Sequence, residues 1–209
     1  MPCTALGTNG QARDTALSAV QMPSATRPSM MVYLDTEFSD LAAEPKLLSL
    51  AMVRASRNDK EFYAEVTDSQ RLRAASDFAL EAVLSQFGRV AGAACSYAEL
   101  GARLWVYLYD LTTTLGPGER IEVAFESDRD WLLATRAVQD ADLAGWISLR
   151  GRLTPVNVYN IDGFAAGERA ARAYFVTQRG APLSRHHALC DARALRIAYA
   201  AAGDAVRSG

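Results

Sequence analysis

Asp35 and Glu37 stand two residues apart at the end of the apolar run Val32-Tyr33-Leu34. Side chains alternate faces along a strand, so both carboxylates point the same way. Like charges side by side are costly unless a cation lies between them. The pair therefore predicts a divalent-metal site, with a solvated strand end as the plain alternative. A second acidic cluster, Glu126-Ser127-Asp128-Arg129-Asp130, follows an apolar stretch and opens a helix, where helix capping alone could account for Ser127 and Asp128. The third cluster holds the chain's two histidines, His186 and His187, followed by Asp191. Asp191 is expected in the first turns of a helix. His186 is expected in the preceding loop or at the N-cap, free to swing toward a site. A histidine touching only the local helix end is the alternative there.

One chemistry joins the three clusters. Oxygen ligands suit Mg²⁺ or Mn²⁺, hard cations that keep several waters. Two such ions about 3.5–4 Å apart can clamp the attacking and leaving oxygens of a phosphodiester. Four carboxylates carry roughly the charge needed to hold two divalent ions. A histidine that titrates near neutrality can take the proton from an attacking water.

Composition sets wide bounds. The 209 residues suffice for one well-buried domain, and 50% apolar with 22% charged residues is ordinary for a soluble globular protein. Three scattered cysteines, Cys3, Cys95 and Cys190, argue against a disulfide framework or a zinc site and fit a reducing cytoplasm. No apolar run approaches the ~20 residues of a membrane span, and the N-terminus lacks the pattern of a signal peptide. A net charge of −2 gives no global basic footprint for nucleic acid. Local patches remain open, and an acidic metal site would itself lower the sum.

The elements that must position the acids follow from periodicity. Residues 1–29 are rich in Ala, Ser, Thr, Gly and Pro and read as a disordered extension. Met30-Met31 marks an alternative natural start. Strands are expected over 31–37, 47–53, 61–66, 121–125 and 153–161, with Asn58-Asp59 turning the second into the third. Helices are expected over 70–87, 96–111, 128–139, 163–178 and 187–202. Ser96 and Glu99 form a candidate capping box for the second helix, and Ser127 is a cap for the third. The domain is expected over 30–203, with 204–209 as a flexible tail. This order predicts an α/β fold, a mixed five-stranded sheet with helices on both faces.

Asp35-Thr36-Glu37-Phe38, Asp130-Trp131-Leu132-Leu133 and His186-His187-Ala188-Leu189-Cys190-Asp191-Ala192 resemble, in order, the three motifs of the DEDDh 3′–5′ exonucleases. The resemblance spans about residues 31–203 and is similar to small bacterial exoribonuclease-like members of that group. It implies a ribonuclease-H-like fold and hydrolysis from the 3′ end of single-stranded nucleic acid, RNA ahead of DNA. It implies Asp35, Glu37, Asp130 and Asp191 as ligands of two Mg²⁺ or Mn²⁺ ions, with Glu37 also close to the attacking water. His186, five positions before Asp191, takes the place of the general base. Thr36 and Phe38 would meet the terminal nucleotide. Asp128 competes with Asp130 for the second motif, and Glu126 stands where the family often has a polar residue. The resemblance also implies a homodimer as an assembly to test, and no membrane partner.

Overall fold

The computed structural model describes residues 30–56 and 60–208. The expected extension over 1–29 and the Asn58-Asp59 turn lie outside the described residues. In chain order the elements are β1 (Met30–Phe38), β2 (Leu47–Arg54), β3 (Phe62–Val66), α1 (Ser69–Leu72), β4 (Ala94–Cys95), α2 (Tyr97–Thr113), β5 (Ile121–Phe125), α3 (Asp128–Ala141), α4 (Leu143–Leu149), β6 (Leu153–Asn157), α5 (Phe164–Thr177) and α6 (Ala188–Ser208). The strands form one mixed sheet in the order β4-β3-β2-β1-β5-β6. β1, β2 and β3 are an antiparallel meander, and β5 and β6 run parallel to β1.

Alternation along β1 sorts the core into two layers. Val32 and Leu34 enter one cluster with α2 and α3 residues such as Leu104, Leu108, Leu133 and Ala137. Tyr33 enters the other with Ala188, Leu189, Ala192 and Leu195 of α6. β2 is buried at every position but its last, as a strand covered on both faces must be. Gly167 lets α5 lie directly on α6, since a Cβ there would stand 2.8 Å from the Ala198 carbonyl oxygen.

The sheet differs from expectation in its strand count, six rather than five. The additional strand, Ala94–Cys95, lies parallel to the end of β3 and is too short to carry a periodic signal. The helix expected over 70–87 is broken into α1, a π-helical turn at Ala79–Val83 and a 3₁₀ turn at Leu84–Gln86. The break falls at Ser76, whose N–H donates to the Ser39 carbonyl and whose hydroxyl accepts from the Ala79 N–H. That serine is a local cap in the middle of an apolar pattern. β6 stops at Asn157, four residues early, because the Asn157 side chain accepts from the Tyr159 N–H and starts a 3₁₀ turn. α6 runs on to Ser208, past the boundary expected at 203. No helix among the described residues is long and apolar enough to cross a membrane.

Candidate metal centre

β1 pairs with β5 only from Met30 to Tyr33, so its last residues outrun that neighbour. Beyond this point the carboxyl ends of the two parallel strands leave a crevice, the usual place for ligands in open α/β sheets. Asp35 and Glu37 lie in that overhang. The pairing with β2 bulges between Glu37 and Phe38, immediately after the second acid. Bulges of this kind re-aim side chains beside functional sites.

β5 delivers the second cluster. Ser127 caps α3, and its backbone N–H donates back to Asp130 Oδ2 at 3.1 Å, a reciprocal capping box. Asp130 Oδ1 accepts the Thr36 hydroxyl at 2.7 Å. Asp130 is thus anchored to β1 while retaining lone pairs, since a carboxylate offers about four acceptor positions. Asp128 instead lies exposed and accepts from Asn157 Nδ2 at 2.9 Å. Asp130 is buried and near enough to raise the pKa of Asp35 and Glu37, whereas Asp128 is exposed.

The two histidines have separate places. His187 is 2% exposed, and its carbonyl accepts from the Cys190 and Asp191 N–H groups as α6 begins. Its Nδ1 accepts from the Leu189 N–H, and its ring stacks on Tyr63 with centroids 4.5 Å apart. Burial pushes its pKa down to about 4, in keeping with a neutral acceptor. His186 stands before the helix with a left-handed backbone (φ 66°), the one non-glycine residue with positive φ among those described. Such a conformation costs a non-glycine residue of order 1 kcal/mol and persists only where the surroundings hold it. Its N–H donates to Asp191 Oδ2 at 3.0 Å, and its ring meets Phe78 edge-on.

Gln86 supplies much of the holding. Its amide nitrogen donates to the Ala82 and Arg185 carbonyls, and its amide oxygen accepts from both the N–H and the hydroxyl of Ser184. One buried side chain therefore brackets the two residues before His186. Replacing it by Leu leaves those buried groups unpaired, at about 1–3 kcal/mol. Gln86→Leu is expected to lower the melting temperature by about 3–8 °C, read in a thermal melt.

Glu37, His186 and Asp191 each offer one ligand atom within 4.8 Å of the others. Asp35, Glu126, His186 and Asp191 line one cavity of about 190 Å³. Burial, then the negative charges of Asp130, Asp191, Glu37 and Glu126, hold the Asp35 carboxyl well above the usual range. Burial pushes Glu37 up to about 9, with help from Asp191 and Asp130. Burial raises Asp191 to about 7 against the opposing His186 N–H and Arg185. It raises Asp130 to about 6 against the Thr36 and Ser127 hydrogen bonds. Burial and Arg185 push His186 below its ordinary value.

No family model and no curated protein matches this chain.

The donor set fits divalent metal. Asp35 Oδ2 and Asp191 Oδ1 are buried without a hydrogen-bond partner. Buried polar atoms are rarely left so, and carboxylates that raise one another's pKa are relieved by a bound cation or by a shared proton. Thr36 is 4% exposed with its hydroxyl committed to Asp130. Phe38 is half-buried against the α2–α3 core layer, with the Arg129 guanidinium 5.8 Å from its ring. Gln86 escapes a reading by spacing. Its one signal is a polar residue inside the apolar sequence Val83-Leu84-Ser85-Gln86-Phe87.

Proposed function

We propose that this chain is a metal-dependent 3′–5′ exonuclease of the DEDDh type on a ribonuclease-H-like fold. It removes nucleotides from the 3′ end of single-stranded nucleic acid, RNA ahead of DNA, in a reducing compartment such as the cytoplasm. The observation that carries the reading is the meeting of Glu37, His186 and Asp191 within 4.8 Å, with His186 and Asp191 lining a cavity together with Asp35. The antiparallel β3-β2-β1 meander continued by parallel β5 and β6 supports the fold assignment. A cavity of about 190 Å³ favours a strand end over the middle of a duplex.

Asp35, Glu37, Asp130 and Asp191 would hold the Mg²⁺ or Mn²⁺ ions, which when bound neutralise phosphate charge and lower the pKa of water. The chain's own groups do the rest. Burial, with Arg185, lowers the His186 pKa and so favours the neutral ring, whose nitrogen can accept the proton of the attacking water. Asp191 Oδ2 fixes the His186 backbone, and Thr36 fixes Asp130. Phe38 lies at the strand end, where a terminal base can stack.

A 5′-labelled single-stranded RNA or DNA incubated with Mn²⁺ tests the reading. The expected product is a ladder shortening from the 3′ end, absent with Asp35→Ala. Cutting of a circular strand would indicate an endonuclease. Binding without metal-dependent turnover would indicate a non-catalytic nuclease-fold module.

The closeness of the His186 ring to Glu37 and Asp191 also allows the histidine to be a metal ligand. His186→Ala separates the two roles. A base gives a turnover loss of about 10²–10⁴ with Mn²⁺ affinity retained, whereas a ligand gives parallel losses in both. Titration calorimetry beside the rate measurement reads the difference.

A further inference from the structure

Three carboxylates, Asp35, Glu126 and Asp191, line the first cavity and repel a phosphodiester strand wherever it extends beyond ions held there. A second cavity, of about 400 Å³, adjoins the first, and Phe175 and Arg185 line both. Arg172, Val176 and Arg179 complete its working wall. Three guanidinium groups thus converge from the last turns of α5 and the segment leading to α6. Arg172 pairs with Glu168 at 3.5 Å, an exposed i,i+4 contact of the weakly stabilising kind. Neither Arg179 nor Arg185 has an ion-pair partner among the described residues. The Arg185 guanidinium lies 5.6 Å from the centre of the half-buried Phe175 ring.

A plain helix end accounts for part of this, since cations near a C-terminus complement the helix dipole. It does not account for an aromatic ring and three arginines lining a cavity continuous with an acidic one. Arg185 already has the charges of Glu126 and Asp191 near it, whereas Arg172 and Arg179 line only the second cavity.

We propose that this groove binds the sugar–phosphate backbone of single-stranded nucleic acid, in the nucleotides preceding the 3′ end that enters the carboxylate cavity. The proposal rests on the exonuclease reading for the direction of the strand. Arg172, Arg179 and Arg185 contact phosphates, and Phe175 stacks on a base, a combination that tolerates any sequence. The groove makes affinity depend on strand length, because a dinucleotide fills the carboxylate cavity before it reaches the outer arginines.

Fluorescence anisotropy tests this with labelled oligo(U) and oligo(dT), as dinucleotides and as strands of about twelve nucleotides, within the range of single-strand site sizes. EDTA is present, so that no strand is cut. The variants are Arg172→Ala/Arg179→Ala and, as a control, Arg136→Ala on the exposed face of α3. The double variant is expected to bind the long strand about tenfold more weakly. Its log affinity should fall with log salt less steeply, by about 1.4, the share of two phosphate contacts on a single strand. The dinucleotide should lose less, and Arg136→Ala should follow the wild type. Equal affinity of double variant and wild type for the long strand, an unchanged salt slope, or the same loss at both lengths would overturn the proposal. Failure of the exonuclease reading shows separately, as wild-type protein that leaves strands intact in Mn²⁺, and the binding comparison still decides the groove.

Discussion

Asp35→Asn is expected to abolish hydrolysis and, at the same time, to make the metal-free protein harder to melt. The two effects have one cause. Asp35 is buried beside four other acids, and one of its oxygens has no hydrogen-bond partner. Wherever its carboxyl ionises in the metal-free protein, the charge is repelled and poorly solvated, at a cost of several kcal/mol for such groups in general. Asparagine keeps the shape and removes the charge. A gain of about 3–8 °C is expected in EDTA at alkaline pH, shrinking toward acid pH as the wild-type carboxyl takes up a proton and is itself relieved. Turnover with Mn²⁺ should fall by about 10³-fold or more, because the charge that repels in the free protein is the charge that holds the ion. An Asn variant with lower melting temperature at both alkaline and acid pH and retained turnover would remove Asp35 from the centre.

Divalent metal should invert the pH dependence of stability. Glu37 is raised from 4.5 to about 9, Asp191 from 3.8 to about 7 and Asp130 from 3.8 to about 6. Each folded value lies above the unfolded one, so the folded protein binds more protons. Their contribution is fully present below about pH 4 and is lost as pH rises through 6, 7 and 9. In EDTA the melting temperature should therefore fall from pH 5 to pH 8. Mn²⁺ must displace those protons, so it binds more tightly at the higher pH. At about a hundredfold excess over its Kd it contributes about 2.7 kcal/mol, or roughly 5–10 °C for a chain of this size. A paired series of melts with EDTA and Mn²⁺ reads both slopes. A gain from Mn²⁺ that is larger at pH 5 than at pH 8 would mean that the ion binds elsewhere.

The acids were legible in the sequence because their chemistry is written in short spacings. That Asp35 and Glu37 share a face needed only the two-residue period of a strand; their reading as metal ligands needed the other two clusters and the resemblance. The resemblance separated the two histidines by the five-residue step from His186 to Asp191, and in the structure His187 is consumed in starting α6. The preference for Asp130 over Asp128 came from the resemblance, and the anchoring of Asp130 was not legible. It depends on Thr36 reaching across from β1, a contact between residues 94 positions apart. Gln86 was hidden for the same reason, since its partners lie about a hundred residues away. The sheet was read nearly whole because its strands alternate or are continuously apolar. The 70–87 segment failed because apolar spacing alone does not reveal that Ser76 is tied to Ser39.

The two margins of the sheet bear on how copies of this chain can associate. One margin ends in β4, which covers Glu65 and Val66 and leaves only Phe62–Ala64 of β3 without a strand beyond it. The other is β6, a five-residue strand with Pro155 at its centre and therefore one N–H fewer to offer. Short edges and proline are the means by which sheets resist growing into a neighbour. A continuous intermolecular sheet is disfavoured at both margins. Exposed apolar side chains lie instead on helical surfaces, among them Val106 and Tyr109 of α2, each about half exposed.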